Sequence, residues 1–139
     1  MYEATLQESV EQPLEWVLRQ VLEESIGISG VLVATTEGLL IAAEFEAAAQ
    51  VTTQVQAETV AAMASAAVGI GTQFTSRLGL GNGTACIVQG GRGCVSAQRV
   101  GDRGVLVLFG GDGLNMARLN LAVRQALPRV HKVLDAMGV

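Results

Sequence analysis

The residues of this chain that could do chemistry are few and far apart. There are two cysteines, Cys86 and Cys94, and a single histidine, His131. Seven residues separate the cysteines, which matches no zinc spacing, and no histidine lies near them in sequence. A disulfide is not expected in a reducing compartment. Ser96 and His131 could meet only through folding, and the G-x-S-x-G nucleophile signature is absent. His131 stands between Arg129 and Lys132 late in a helical segment, where a basic side chain suits the helix dipole. Glu44 and Glu46 are alternate residues on a strand and share a face; a solvated strand end accounts for them without a carboxylate pair. Gly110-Gly111-Asp112-Gly113 joins a strand to a helix, where backbone N–H groups could hold an anion. There is no G-x-x-x-x-G-K-[ST] motif, however, and the only lysine is Lys132, while Asp112 would repel phosphate. A turn with a helix cap is expected there. The reading is a non-enzymatic protein with no catalytic residue, no metal ligands and no cofactor.

The elements follow from periodicity. Pro13 is placed to open a helix after a polar lead-in at 6–13. Leu14, Val17, Leu18, Val21 and Leu22 then recur at three- and four-residue steps, one apolar stripe that Gly27 ends. Gly30 to Ala34 and Leu39 to Phe45 read as two strands joined tightly through Thr36-Glu37-Gly38. A long helix is expected over 52–78. Three strands follow, at 84–89, 94–100 and 105–109, linked by Gly90-Gly91-Arg92-Gly93 and Gly101-Asp102-Arg103-Gly104. Links this short require antiparallel neighbours. Equal-length pairing sets Val88 opposite Val95 and Cys86 opposite Ala97. A last helix is expected over 114–134, with Pro128 bending or dividing it. The fold class is α+β, a five-stranded, mostly antiparallel sheet flanked by helices in the order α-β-β-α-β-β-β-α.

At 139 residues, half of them hydrophobic and 16% charged, the chain suits one folded domain over 1–139, with its core at about 14–134. Its longest uncharged helical stretch, 59–76, is diluted by glycine, serine, threonine and glutamine, so no membrane span is expected. The acidic first residues are the reverse of a signal peptide, which places the protein in the cytoplasm. The net charge of -4 argues against nucleic acid. Charge is nevertheless uneven: residues 1–58 hold ten acids and Arg19 alone as base, while 77–139 hold eight bases and three acids. Neighbouring helices neutralising one another would explain this most simply.

The long helix is the feature that folding alone explains least. Val60, Met63, Ala67, Ile70, Phe74 and Leu78 mark one face, and Ala61, Ala64, Val68 and Thr75 an adjacent small one. Gly69 and Gly71 each cost about 1 kcal/mol relative to alanine in a free helix, so another backbone is expected to come close. Packing on one sheet uses one face, which leaves the second for an interface.

The segment from Gly30 to Ala42, the alanine-rich helix from Glu58 to Gly71 and the run from Val100 to Leu108, in that order, resemble the Roadblock family. This is the domain of dynein light-chain Roadblock proteins and of bacterial and archaeal GTPase regulators. The resemblance covers roughly residues 14–134. It implies a homo- or heterodimer whose sheets join through the third strand and whose long helices meet, one surface engaging a Ras-like small GTPase. Met63, Ala64, Ala67 and Val68 on the helix and Ala85, Cys86 and Ile87 on the strand are the residues expected at the dimer contact. The expected function is a GTPase-regulating or scaffold protein, with a profilin- or PAS-like small-ligand sensor as the rival; a sensor would need a cavity.

Overall fold

The computed structural model describes residues 13–47, 49 and 53–139; the polar lead-in before Pro13 lies outside these residues. Helix α1 spans Leu14–Glu24, β1 Gly30–Thr35, β2 Leu40–Phe45, α2 Gln54–Arg77, β3 Ala85–Gly90, β4 Gly93–Val100, β5 Gly104–Gly110 and α3 Met116–Met137. This is the element order expected from the sequence. The five strands form one sheet in the order β2-β1-β5-β4-β3, and every neighbouring pair is antiparallel. Val88 does pair with Val95, and Cys86 with Ala97.

Helices cover both faces of the sheet, so its central strands are apolar throughout rather than alternating. Val31, Val33, Leu106 and Leu108 face α1 and α3, joining a core that includes Leu18, Leu119 and Leu134. Leu32, Ala34, Val105 and Val107 face α2, in a smaller core with Ala61, Ala64 and Val68. The two cysteines belong to opposite faces. Cys94 is buried with α1 and α3, whereas Cys86 opens toward α2. Both are free thiols.

The local chemistry fixes where the helices begin. Thr53 caps α2 in a reciprocal box: its hydroxyl accepts from the Gln56 N–H at 3.1 Å, and Gln56 Oε1 accepts from the Thr53 N–H at 3.0 Å. Asn115 caps α3 by accepting the Arg118 N–H at 2.9 Å. That corrects the expected start at Leu114, and Asp112, exposed in the preceding turn, is not the cap. Pro128 does not divide α3, which runs unbroken to Met137. It stands on the exposed side of the helix, where loss of one backbone bond is least costly. α1 ends at Glu24, earlier than expected, with Gly27 two residues beyond Ser25 in a left-handed turn at φ 88°.

Gly30 positions the site. It pairs with Phe45 on one side and Phe109 on the other, and a Cβ there would lie 2.3 Å from the Phe109 ring and 2.7 Å from that of Phe45. The two rings lean over the glycine with centroids 6.0 Å apart and fill the space its missing side chain leaves.

Candidate interaction surface

α2 turns its small face toward the sheet and its bulky face outward. The small residues Ala57, Ala61, Ala64, Ser65 and Val68 lie against the chain's own sheet. Small side chains let the helix lie close, and Ser65 Oγ fixes its seat by donating to the Thr35 carbonyl at 2.7 Å. The bulky face is turned out: Met63, Ile70, Phe74 and Leu78 are between 62% and 70% exposed. Contiguous exposed apolar surface of this kind is the signature of an interaction site.

Beside that flank, the sheet is bare. α2 crosses from the β2 side toward the start of β3, where Thr72 Oγ1 donates to the Gly83 carbonyl at 3.3 Å. A Cβ on Gly83 would come within 2.8 Å of the Thr72 backbone, so glycine is what allows this approach. The other end of β3, β4 and β5 is left uncovered, and an apolar groove of about 390 Å³ runs there. Val60, Met63, Ala64 and Ala67 wall it on the helix side, and Cys86, Val88, Val95, Ala97, Val107 and Phe109 on the sheet side. Its volume lies within the ~300–1,000 Å³ of small-molecule sites, but such sites carry a few convergent polar groups. This groove has almost none.

β3 forms the rim, and it is an edge strand bonded only to β4. It carries no charged residue, and Ile87 and Val88 are 41% and 53% exposed. Such an edge is a template for another strand. The opposite edge, β2, differs: Glu44 lies on it in an ion pair with Arg19 of α1, Glu46 follows it, and its pairing with β1 slips between Val33 and Ala34.

The residues expected at a dimer contact divide accordingly. Met63 is exposed and Ala67 half-buried at the groove wall; Cys86 lines the groove from β3. Ala85 and Ile87 are exposed on the edge strand. Ala64 and Val68, at 8% and 3% exposure, are already covered by the chain's own sheet. Ile70, Phe74, Val88 and Phe109 belong to the same surface and were not among the expected contact residues. Of the two helical glycines, Gly71 faces the start of β3 at 3.9 Å, and a Cβ on Gly69 would meet open space.

Charge is arranged elsewhere. Arg129 of α3 bonds Glu24 and Gln20 of α1, each at 2.9 Å, so part of the basic second half neutralises the acidic first half across the helix pair. Among the described residues, no three His, Cys, Asp or Glu side chains come together as metal ligands. None of the described helices is long and apolar enough to cross a membrane.

Among curated proteins, the chain is similar to the uncharacterised protein MJ0714 of Methanocaldococcus jannaschii, 29% identical over 121 residues that cover 87% of this chain and 96% of the relative. Among solved structures it is similar to an MglB described with a tetrameric arrangement, with a TM-score of 0.79, 17% identity and 92% of each chain covered. The gliding protein MglB of Thermus thermophilus superposes with a TM-score of 0.76 at 17% identity, covering 89% of this chain and 93% of that one. The model of the Roadblock/LC7 domain matches residues 14–110, from the first residue of α1 to the last of β5, and the chain belongs to that family.

Proposed function

We propose that this protein is a dimeric, non-enzymatic regulator or scaffold for a Ras-like small GTPase in the cytoplasm. The observation that carries the reading is the Roadblock/LC7 match across the whole sheet. The surface agrees with it: an uncharged edge strand and an apolar groove suit a protein contact better than a small ligand. The sensor reading has less support, because the groove lacks the polar groups that would orient a ligand.

Regulation here works without an arginine finger. Such a residue stabilises transition-state charge on the phosphates and is worth roughly 10³–10⁵ in rate. Arg92 and Arg103 stand in strand-connecting turns of two to three residues, and Arg77 is the last residue of α2. None is on a long positioned loop, so the GTPase is held through its own switch segments or tethered.

The test measures binding of the protein to each Ras-like GTPase of its source organism, loaded with GDP or a non-hydrolysable GTP analogue, followed by turnover. Binding to at least one, with any stimulation surviving Arg77→Ala, Arg92→Ala and Arg103→Ala, is the expected result. No binding to any of them overturns the function, and a thousand-fold loss of stimulation in one variant with binding retained overturns the mechanism.

A further inference from the structure

We propose that the free edge of β2 is a second docking site, which takes an extended segment of another protein as an added strand, with apolar and basic side chains alternating along it. The site lies on the opposite edge of the sheet from the groove beside α2, and it stands whether or not the chain pairs with itself.

A slot of about 370 Å³ runs along this edge, bordered by the consecutive residues Leu40, Ile41, Ala42 and Ala43. Successive strand residues point to opposite faces, so a cavity that touches all four follows the backbone edge rather than lying over one face. Its walls come from both helical layers: Glu15 of α1 on one side, and Thr53, Gln54 and Ala57 from the start of α2 on the other. An edge strand set in a slot between helices has the geometry of strand addition, in which the backbone supplies the bonds and the walls select alternate side chains.

The edge has bonds to give. The Glu46 N–H donates to the Ser29 carbonyl at 2.9 Å, and the Thr35 N–H to the Leu39 carbonyl at 2.8 Å, which fixes the positions of β2 that face β1. Alternation then turns the N–H and C=O of Ala43 and Phe45 outward. No described residue takes them up. Ile41 has no partner where the pairing with β1 slips, so the regular edge is confined to residues 42–45 and the site reads a short segment.

Side chains set the pattern. On the α2 face an added residue meets Leu40, Ala43 and Phe45, which belong to the apolar layer under that helix, and Ala57 beside them. An apolar side chain fits there. On the α1 face it meets Glu15 and Glu44, with Glu46 just beyond. Arg19 neutralises Glu44, whereas Glu15 and Glu46 have no ion pair among the described residues. A basic side chain fits here. The same acids repel a second β2. The chain's own first twelve residues, with three acids and no base, are equally unsuited, so the occupant is another protein.

The test uses end-capped, fluorescein-labelled peptides and the full chain. A Val-Lys repeat hexapeptide is expected to bind more tightly than a Val-Glu repeat, and more tightly than a peptide of the same composition with its valines and lysines in separate blocks. Glu15→Gln/Glu46→Gln should weaken binding about three- to tenfold, as expected for two exposed ion pairs. Ala43→Pro removes an outward N–H without touching a bond to β1, and should abolish binding with the circular dichroism unchanged. Because a proline also constrains the strand, a second arm leaves the protein untouched and N-methylates either the valines or the lysines of the peptide. An added strand turns alternate N–H groups to solvent, so one set should abolish binding and the other be tolerated. Amide chemical shifts should move at residues 42–45 and 53–57. No binding at millimolar peptide, equal binding of the Lys and Glu repeats, equal effects of the two methylations, or shifts confined to β3 would overturn the proposal.

Discussion

Truncating Phe74 to alanine separates what the protomer needs from what a dimer needs. The side chain is 66% exposed, so little of it contributes to the folded protomer. A phenylalanine presents about 200 Å², of which about 130 Å² is thus available to a partner. At about 25 cal/mol per Å², full burial is worth about 3 kcal/mol, and about 2.5 once the retained Cβ is subtracted. A two-fold contact uses the residue twice, so Phe74→Ala is expected to cost about 5 kcal/mol of dimer stability, a 10³- to 10⁴-fold rise in Kd. Sedimentation over a dilution series from nanomolar to a hundred micromolar measures this, with circular dichroism of the dilute variant reporting on the fold. The helical signal should be unchanged. Less than a tenfold rise in Kd, or loss of helix in the variant, would refute the division of α2 into an inward small face and an outward bulky one. Ala64→Glu makes no such separation, because Ala64 lies against the protomer's own sheet, and a carboxylate there disrupts the fold together with any interface.

Gly30→Ala places a methyl group 2.3 Å from the Phe109 ring, so the ring must leave its seat; a loss of about 1–3 kcal/mol is expected in urea denaturation. Adding Phe109→Leu should recover part of that loss, and no recovery would mean that the strain lies in the backbone. Thiol labelling should find Cys86 reactive in dilute, dissociated protein and protected as concentration rises, while Cys94, 7% exposed beneath α3, reacts only on unfolding. Equal labelling of the two in native protein would contradict their assignment to opposite faces of the sheet.

The sheet was legible in the sequence because its punctuation is strong. The glycine-flanked links around Arg92 and Arg103 are too short for anything but antiparallel neighbours, and equal-length pairing across the first gave the observed register. The helix starts were less legible, since a cap depends on geometry: Asn115 and Asp112 are both capable residues, and only Asn115 is placed to accept the Arg118 N–H. Of the two outcomes that Pro128 allows, a bend or a break, the structure excludes the break. The local cost of the proline is real, but the packing of Ala126, Val130 and Leu134 on either side holds the helix through it. The site was the least legible part. With apolar residues on both faces of α2, periodicity reports that two faces exist and not which one its own sheet takes. Close packing decides that, and it favours the alanine face.

The two edges of the sheet determine what kind of association the protomer can support. A chain with two equally open edges would add copies indefinitely, because each joined edge leaves another free. Here β3 is uncharged and lies beside the apolar groove, whereas β2 carries Glu44 in its ion pair with Arg19, with Glu15 of α1 close by along the same edge. A second β2 brought alongside would set two such carboxylate-bearing edges together and cost the desolvation of both ion pairs. Joining β3 to β3 about a two-fold axis uses the permissive edge of both copies at once and leaves only guarded edges outward. α2 makes the same distinction, since its bulky flank borders β3 and its first turn, with Gln54 and Ala57, lies beside β2. In the dimer proposed above, this asymmetry between edges would favour a closed pair over a fibre, and Ala62, Ala66 and Gln73, exposed on α2, would remain available to a third protein.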